Sequence, residues 1–113
     1  TLGGNAAMRG SWFASVSDGL YGQLAAKYRT RFGKAPYRLA SLGYDSVLLT
    51  VRIARDWKPG TTFPAARLLA EEGFGGIDGI FRFNNRGIAV RALEVSEVGA
   101  GGFRVIDPAP TKW

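Results

Sequence analysis

The sequence has 113 residues, carries 15 Lys and Arg against 9 Asp and Glu, and contains neither Cys nor His. That length suits one small domain or a piece of a larger one, and the ordinary share of hydrophobic residues, 46%, argues against wholesale disorder. Without Cys or His, disulfides, thiolate zinc sites, cysteine nucleophiles and the Ser-His-Asp triad are excluded, which leaves carboxylates, Lys, Tyr, Ser and Thr for any catalysis.

Thr1 to Gly10 is small and Gly-rich and reads as an entering loop; a start at Thr rather than Met reads as a cut. Ser11-Trp12-Phe13-Ala14-Ser15-Val16 is short, apolar and aromatic, which favours a buried strand. Ser17 or Asp18 can cap the next element. There Leu20, Tyr21, Leu24, Ala25, Tyr28 and Phe32 recur at spacings of three and four, one apolar stripe on a helix. Gly33 stops that helix, and Pro36 is expected in the first turn of a second. The second helix carries Leu39, Leu42, Val47, Leu48, Leu49, Val51 and Ile53 on more than one stripe, so it should be largely buried. Thr61 or Thr62 can cap a short third helix that closes at Glu71-Glu72-Gly73.

After Gly73 the pattern changes. Phe74 to Gly79 reads as a turn-rich approach to a strand at Ile80-Phe81-Arg82-Phe83, with Asn84-Asn85-Arg86-Gly87 as a hairpin turn. Val90 to Val98 is expected as one strand, Gly99 to Gly102 as a turn, and Phe103 to Ile106 as a third strand of a meander. One strand, three helices and three strands are too few to close an α/β sheet covered on both faces. The expected partner is therefore the remainder of its own chain or a second copy.

No dinucleotide, Walker or metalloprotease motif occurs. Gly73 to Gly79 leads into no helix and so lacks a phosphate cradle. Glu71-Glu72 and Glu94/Glu97 are the close acidic pairs, and neither is placed as a catalytic dyad. The net charge of +6 is scattered along the chain. Its best nucleic-acid face is Lys27, Arg31, Lys34 and Arg38 with Tyr28 and Tyr37, and that reading requires the chain to be a complete small domain. Asp45, inside the second helix, needs backbone N–H groups or an arginine; Arg82 and Arg91 are the candidates. No run of apolar residues approaches the ~20 that a membrane helix requires.

Three stretches carry a resemblance. Gly10-Ser11-Trp12-Phe13-Ala14 is followed by Tyr28-Arg29-Thr30-Arg31-Phe32-Gly33-Lys34-Ala35-Pro36. Arg38-Leu39-Ala40-Ser41-Leu42-Gly43-Tyr44-Asp45-Ser46-Val47 comes next, and then Gly73-Phe74-Gly75-Gly76-Ile77-Asp78-Gly79-Ile80-Phe81-Arg82-Phe83 with Gly87. In order and spacing these resemble the C-terminal part of type I periplasmic solute-binding proteins, in the leucine/isoleucine/valine-binding branch. The penicillin-binding-protein activator-like variant looks closest. Ser46, where Ala is usual, and Gly43 depart from the commonest pattern.

The resemblance implies an α/β fold: the C-terminal portion of a two-lobed type I periplasmic binding fold, spanning residues 1–113. Residues 10–16 would form a hinge-type strand, 17–72 the helical part of one lobe, and 74–107 a hairpin and terminal strands. It implies a periplasmic receptor, not an enzyme, that closes on a small, amino-acid-like ligand and presents it to ABC transporter membrane subunits. No cofactor, metal or nucleic acid is implied. Tyr37, Arg38 and Ser41, where the chain enters the second helix, are the ligand-binding candidates; Arg38 could hold an acidic group as a bidentate donor. The alternative from the same resemblance is an interaction regulator of cell-wall synthesis that binds no solute.

Overall fold

The computed structural model describes residues 4–113. A 3-10 turn at Ala6–Met8 leads into strand β1, Trp12–Ser15. Helix α1 spans Gly19–Phe32, and α2 spans Ala40–Ile53. The strands that follow are β2 (Phe74–Gly76), β3 (Gly79–Phe83), β4 (Ala89–Arg91), β5 (Glu94–Gly99) and β6 (Gly102–Asp107). Of the entering loop, the first three residues lie outside the described residues.

Helix α1 ends as its sequence dictates. Gly33 takes the left-handed conformation, φ 71°, and its N–H donates to the Arg29 carbonyl, a closure that a Cβ would oppose. Arg29 and Arg31 sit in the last turn, where cations suit the carbonyl end of the dipole. Helix α2 begins four residues after Pro36, not at it, because residues 38 and 39 form a turn first. The expected third helix is a single 3-10 stretch, Ala65–Leu69, with Pro64 before it. Thr61 does not cap it; its hydroxyl donates back to the Lys58 carbonyl at 2.6 Å.

The expected meander is replaced by two separate antiparallel sheets, ordered β1-β5-β6 and β2-β3-β4. The predicted strand from Val90 to Val98 is broken at Ala92 and Leu93. Ala92 is buried, its N–H donating to the Ile80 carbonyl at 3.1 Å, and beyond it the chain leaves one sheet for the other. Phe74-Gly75-Gly76, expected as a turn, is an edge strand paired with Gly79 to Phe81. The hairpin at 84–87 forms as expected: the Asn84 Oδ1 accepts from the N–H groups of Arg86 and Ile88.

The core joins α2 to the second sheet. Ile53, Phe74 and Phe81 are buried together, flanked by Leu49, Leu68, Ala70 and Phe83. In the first sheet Val98 is buried and Phe13 meets Phe103 edge to face at 5.3 Å. The helices are otherwise bare. No residue of α1 is buried, and in α2 only Ser41, Asp45 and Ile53 are, against the expectation of a largely buried helix. The apolar pattern is present, but nothing among the described residues covers it. Two global measures agree. The radius of gyration is 17.4 Å, against roughly 13 Å for a compact chain of this length. The accessible surface is 8211 Å², against roughly 6,100 Å² for a compact monomer of this mass.

Candidate functional site

The chain forms two bodies, the sheet β1-β5-β6 and the helices with the sheet β2-β3-β4, joined by residues 16–18, which leave β1 for α1, and by residues 92–93, which run from β4 to β5. Beside these crossings lies an open cavity of about 380 Å³. Val16, Leu39 and Leu42 supply apolar wall, and Asp18, Arg38, Asp78 and Arg91 supply charge.

Arg38 organises the polar side. Its Nη2 donates to Asp18 Oδ1 at 2.8 Å, and its Nη1 donates to Asp78 Oδ1 at 3.0 Å and to Ser41 Oγ at 3.1 Å. The guanidinium lies over the Tyr21 ring, 4.1 Å from its centroid. Burial lowers the Arg38 pKa, but hydrogen bonds to Asp18 and Asp78 and their charges raise it more, so the net direction is upward. The two arms of the bridge differ. The Asp78 side chain is 5% exposed, whereas that of Asp18 is 69% exposed. Asp78 is completed by the Ser41 hydroxyl, which donates to Oδ2 at 2.7 Å. The first turn of α2, the β2–β3 turn and the crossing at Asp18 are thus pinned through one side chain.

Of the three residues predicted to bind ligand, Arg38 and Ser41 come together and Tyr37 does not join them. Tyr37 is 78% exposed and does not line the cavity. Ser41 is 0% exposed, with its hydroxyl committed to Asp78. Asp18, Asp78 and Arg91 were not singled out as ligand candidates from the sequence. Asp18 reads as a helix cap and does occupy the N-cap position of α1, but its carboxylate makes no cap hydrogen bond and is engaged by Arg38 instead. The nucleic-acid set also loses members to other partners: Arg38 holds two carboxylates, and Tyr28 lines an apolar groove between the helices with Leu24, Tyr44 and Val47.

Asp45 corrects another expectation. Its partner is neither Arg82 nor Arg91 but the Ile77 N–H, which donates to both carboxylate oxygens at 2.9 and 3.1 Å. Gly76 makes room for this: a Cβ there would fall on the Asp45 carboxylate. Arg82 instead stacks on Trp113 at 4.4 Å, and Arg91 on Phe81 at 4.8 Å. Among the described residues no group of His, Cys, Asp and Glu could hold a metal.

No family model and no curated protein sequence matches the chain. Solved structures do. A branched-chain amino acid ABC transporter protein of Rhodospirillum rubrum is 29% identical over 91% of this chain, with a TM-score of 0.70. The leucine-binding protein LivK of Thermotoga maritima (21% identical over 94%) and an ABC transporter substrate-binding protein of Desulfitobacterium hafniense in complex with Leu (22% over 88%) give TM-scores of 0.51 and 0.54. The chain carries part of the type I periplasmic binding fold. It spans 32% of the length of each of these three chains.

Proposed function

We propose that this chain is the C-terminal portion of a periplasmic solute-binding receptor. Its two bodies belong to two lobes that close on a small polar, amino-acid-like ligand, which ABC transporter membrane subunits then take up. The observation that carries this reading is the likeness in fold to the R. rubrum protein over nearly the whole chain. A lined cavity at the crossings supports it, since ligands of two-body folds sit where the bodies meet. No covalent step is involved; function lies in differential binding of the closed form.

Arg38 stays in the site as part of its wall, with Ser41 buried against Asp78 and Tyr37 exposed outside the lining. Titration calorimetry of the full natural protein against a panel of amino acids tests the receptor reading. The expected result is saturable binding of at least one branched apolar amino acid. Silence across the panel would refute the receptor and leave the cell-wall regulator as the better account.

A further inference from the structure

In the first sheet, β1 ends, β5 begins and β6 ends at the same place. Ser15, the last residue of β1, lies opposite Glu94, the first of β5, and Asp107, the last of β6, lies opposite Val95. From there residues 16–18 and 92–93 connect to the second body through the backbone. A third segment leaves from the same end. Residues 108–112 belong to neither sheet and are exposed, apart from a half-buried Ala109. Trp113, which follows them, sits on the second body. The Arg82 guanidinium of β3 lies over its ring, 4.4 Å from the centroid, and also donates to the Glu71 carbonyl at 3.4 Å. The indole nitrogen rests against Gly73, where a Cβ would lie 2.7 Å from it. Gly73 takes φ 66°, so backbone conformation and the docked ring both oppose a side chain there. Trp113 does not line the cavity at the crossings. Element against element, the main packing stays within one body or the other, so a tie outside the two crossings has leverage on their separation.

We infer that residues 108–113 are a strap: the chain returns from the first sheet to the second body and is fastened there by Trp113, which limits how far the two bodies part. Fully extended, residues 108–113 reach about 20 Å. Pro108 and Pro110 hold the segment extended and leave it little slack. The fastening is one ring, 41% exposed, on one cation, so it releases without unfolding either body. The inference goes beyond the receptor reading and does not need it, because it concerns the separation of the bodies whatever the cavity holds.

The test uses the full natural protein with spin labels attached at Arg86, on the 84–87 hairpin of the second body, and at Ala100, on the β5–β6 turn of the first; both positions are exposed and lie outside the tail. The distance between them is read by double electron–electron resonance. Trp113→Ala is expected to broaden the distribution and move its mean to longer distance. Trp113→Phe, which keeps a ring for Arg82, is expected to restore most of the wild-type distribution. A second variant separates a strap from local packing. Gly-Ser-Gly-Ser inserted between Pro110 and Thr111 lengthens the reach by about 13 Å and leaves Trp113 intact. It is expected to reproduce the Trp113→Ala distribution while the unfolding midpoint stays at that of the wild type. A wild-type distribution in Trp113→Ala, or in the insertion variant, overturns the strap. If Trp113→Ala fails to fold, the insertion variant decides alone. Titration of the same proteins with amino acids keeps the two readings apart: a protein that binds none of them ends the receptor reading and leaves the strap to be judged by the distances.

Discussion

The two arms of the Arg38 bridge give a sharp stability prediction, because one arm is in water and the other is not. Asp18 and Arg38 are 69% and 37% exposed at their side chains, so their attraction is screened, and such pairs contribute about 0–1 kcal/mol. Asp78 is 5% exposed. Replacing Arg38 by Met keeps the length of the side chain but strands that carboxylate with only the Ser41 hydroxyl, and breaking a buried pair this way costs about 3–5 kcal/mol. Denaturant unfolding of the full protein should therefore rank the variants clearly: Asp18→Asn within about 1 kcal/mol of wild type, Arg38→Met several-fold worse. Adding Asp78→Asn to Arg38→Met should recover part of the loss, since the uncompensated charge is then gone. Equal costs for Asp18→Asn and Arg38→Met, or no recovery in the double variant, would refute the division into a screened arm and a buried one.

Two further substitutions test the core around the second sheet. Gly76→Ala drives a methyl onto the Asp45 carboxylate and within 3.0 Å of the Phe81 ring, so a loss of about 1–3 kcal/mol in unfolding free energy is expected. Phe81→Ala removes the ring shared by Phe74, Phe83 and Arg91, and about 3–5 kcal/mol should be lost by the same measurement.

How much of this was legible depended on whether the signal was local. The Gly33 stop, the 84–87 hairpin and the strand at Trp12 follow from the residues in place, and each formed where expected, but the strand is not the buried one its aromatics implied: Trp12 is 70% exposed. The break at Ala92–Leu93 was not legible. Apolar residues run through it without a Gly or Pro, and only the partition between two sheets divides them. The edge strand at Phe74–Gly76 was hidden by its glycines, one of which is there for the close approach of Asp45. In the site, Arg38 and Ser41 are three residues apart on one helical turn, so their meeting could be read. Their shared partner Asp78 lies 37 residues beyond Ser41, and no spacing rule reaches that far.

The bare face of α2 shows where the chain's stability comes from. Val47 and Val51 are each 64% exposed, and Tyr44 and Leu48 are exposed beside them on the same face, yet their repetition is that of a buried stripe. The surface exceeds the compact expectation by roughly 2,100 Å², far more than scattered exposed side chains produce. If the remainder of a longer chain covers this face, a charge placed there must enter an apolar interior. Val51→Asp should then cost the full protein several kcal/mol, because an unpaired carboxylate would be desolvated. In residues 1–113 expressed alone the same change should be nearly silent, and the chain itself should bind a hydrophobic dye and melt without a sharp transition. A surface substitution away from any partner stays within about ±0.5 kcal/mol. A Val51→Asp effect that small in the full protein, or a cooperative melt of the 113 residues alone, would show that this helix face is made for water and that the missing cover does not exist.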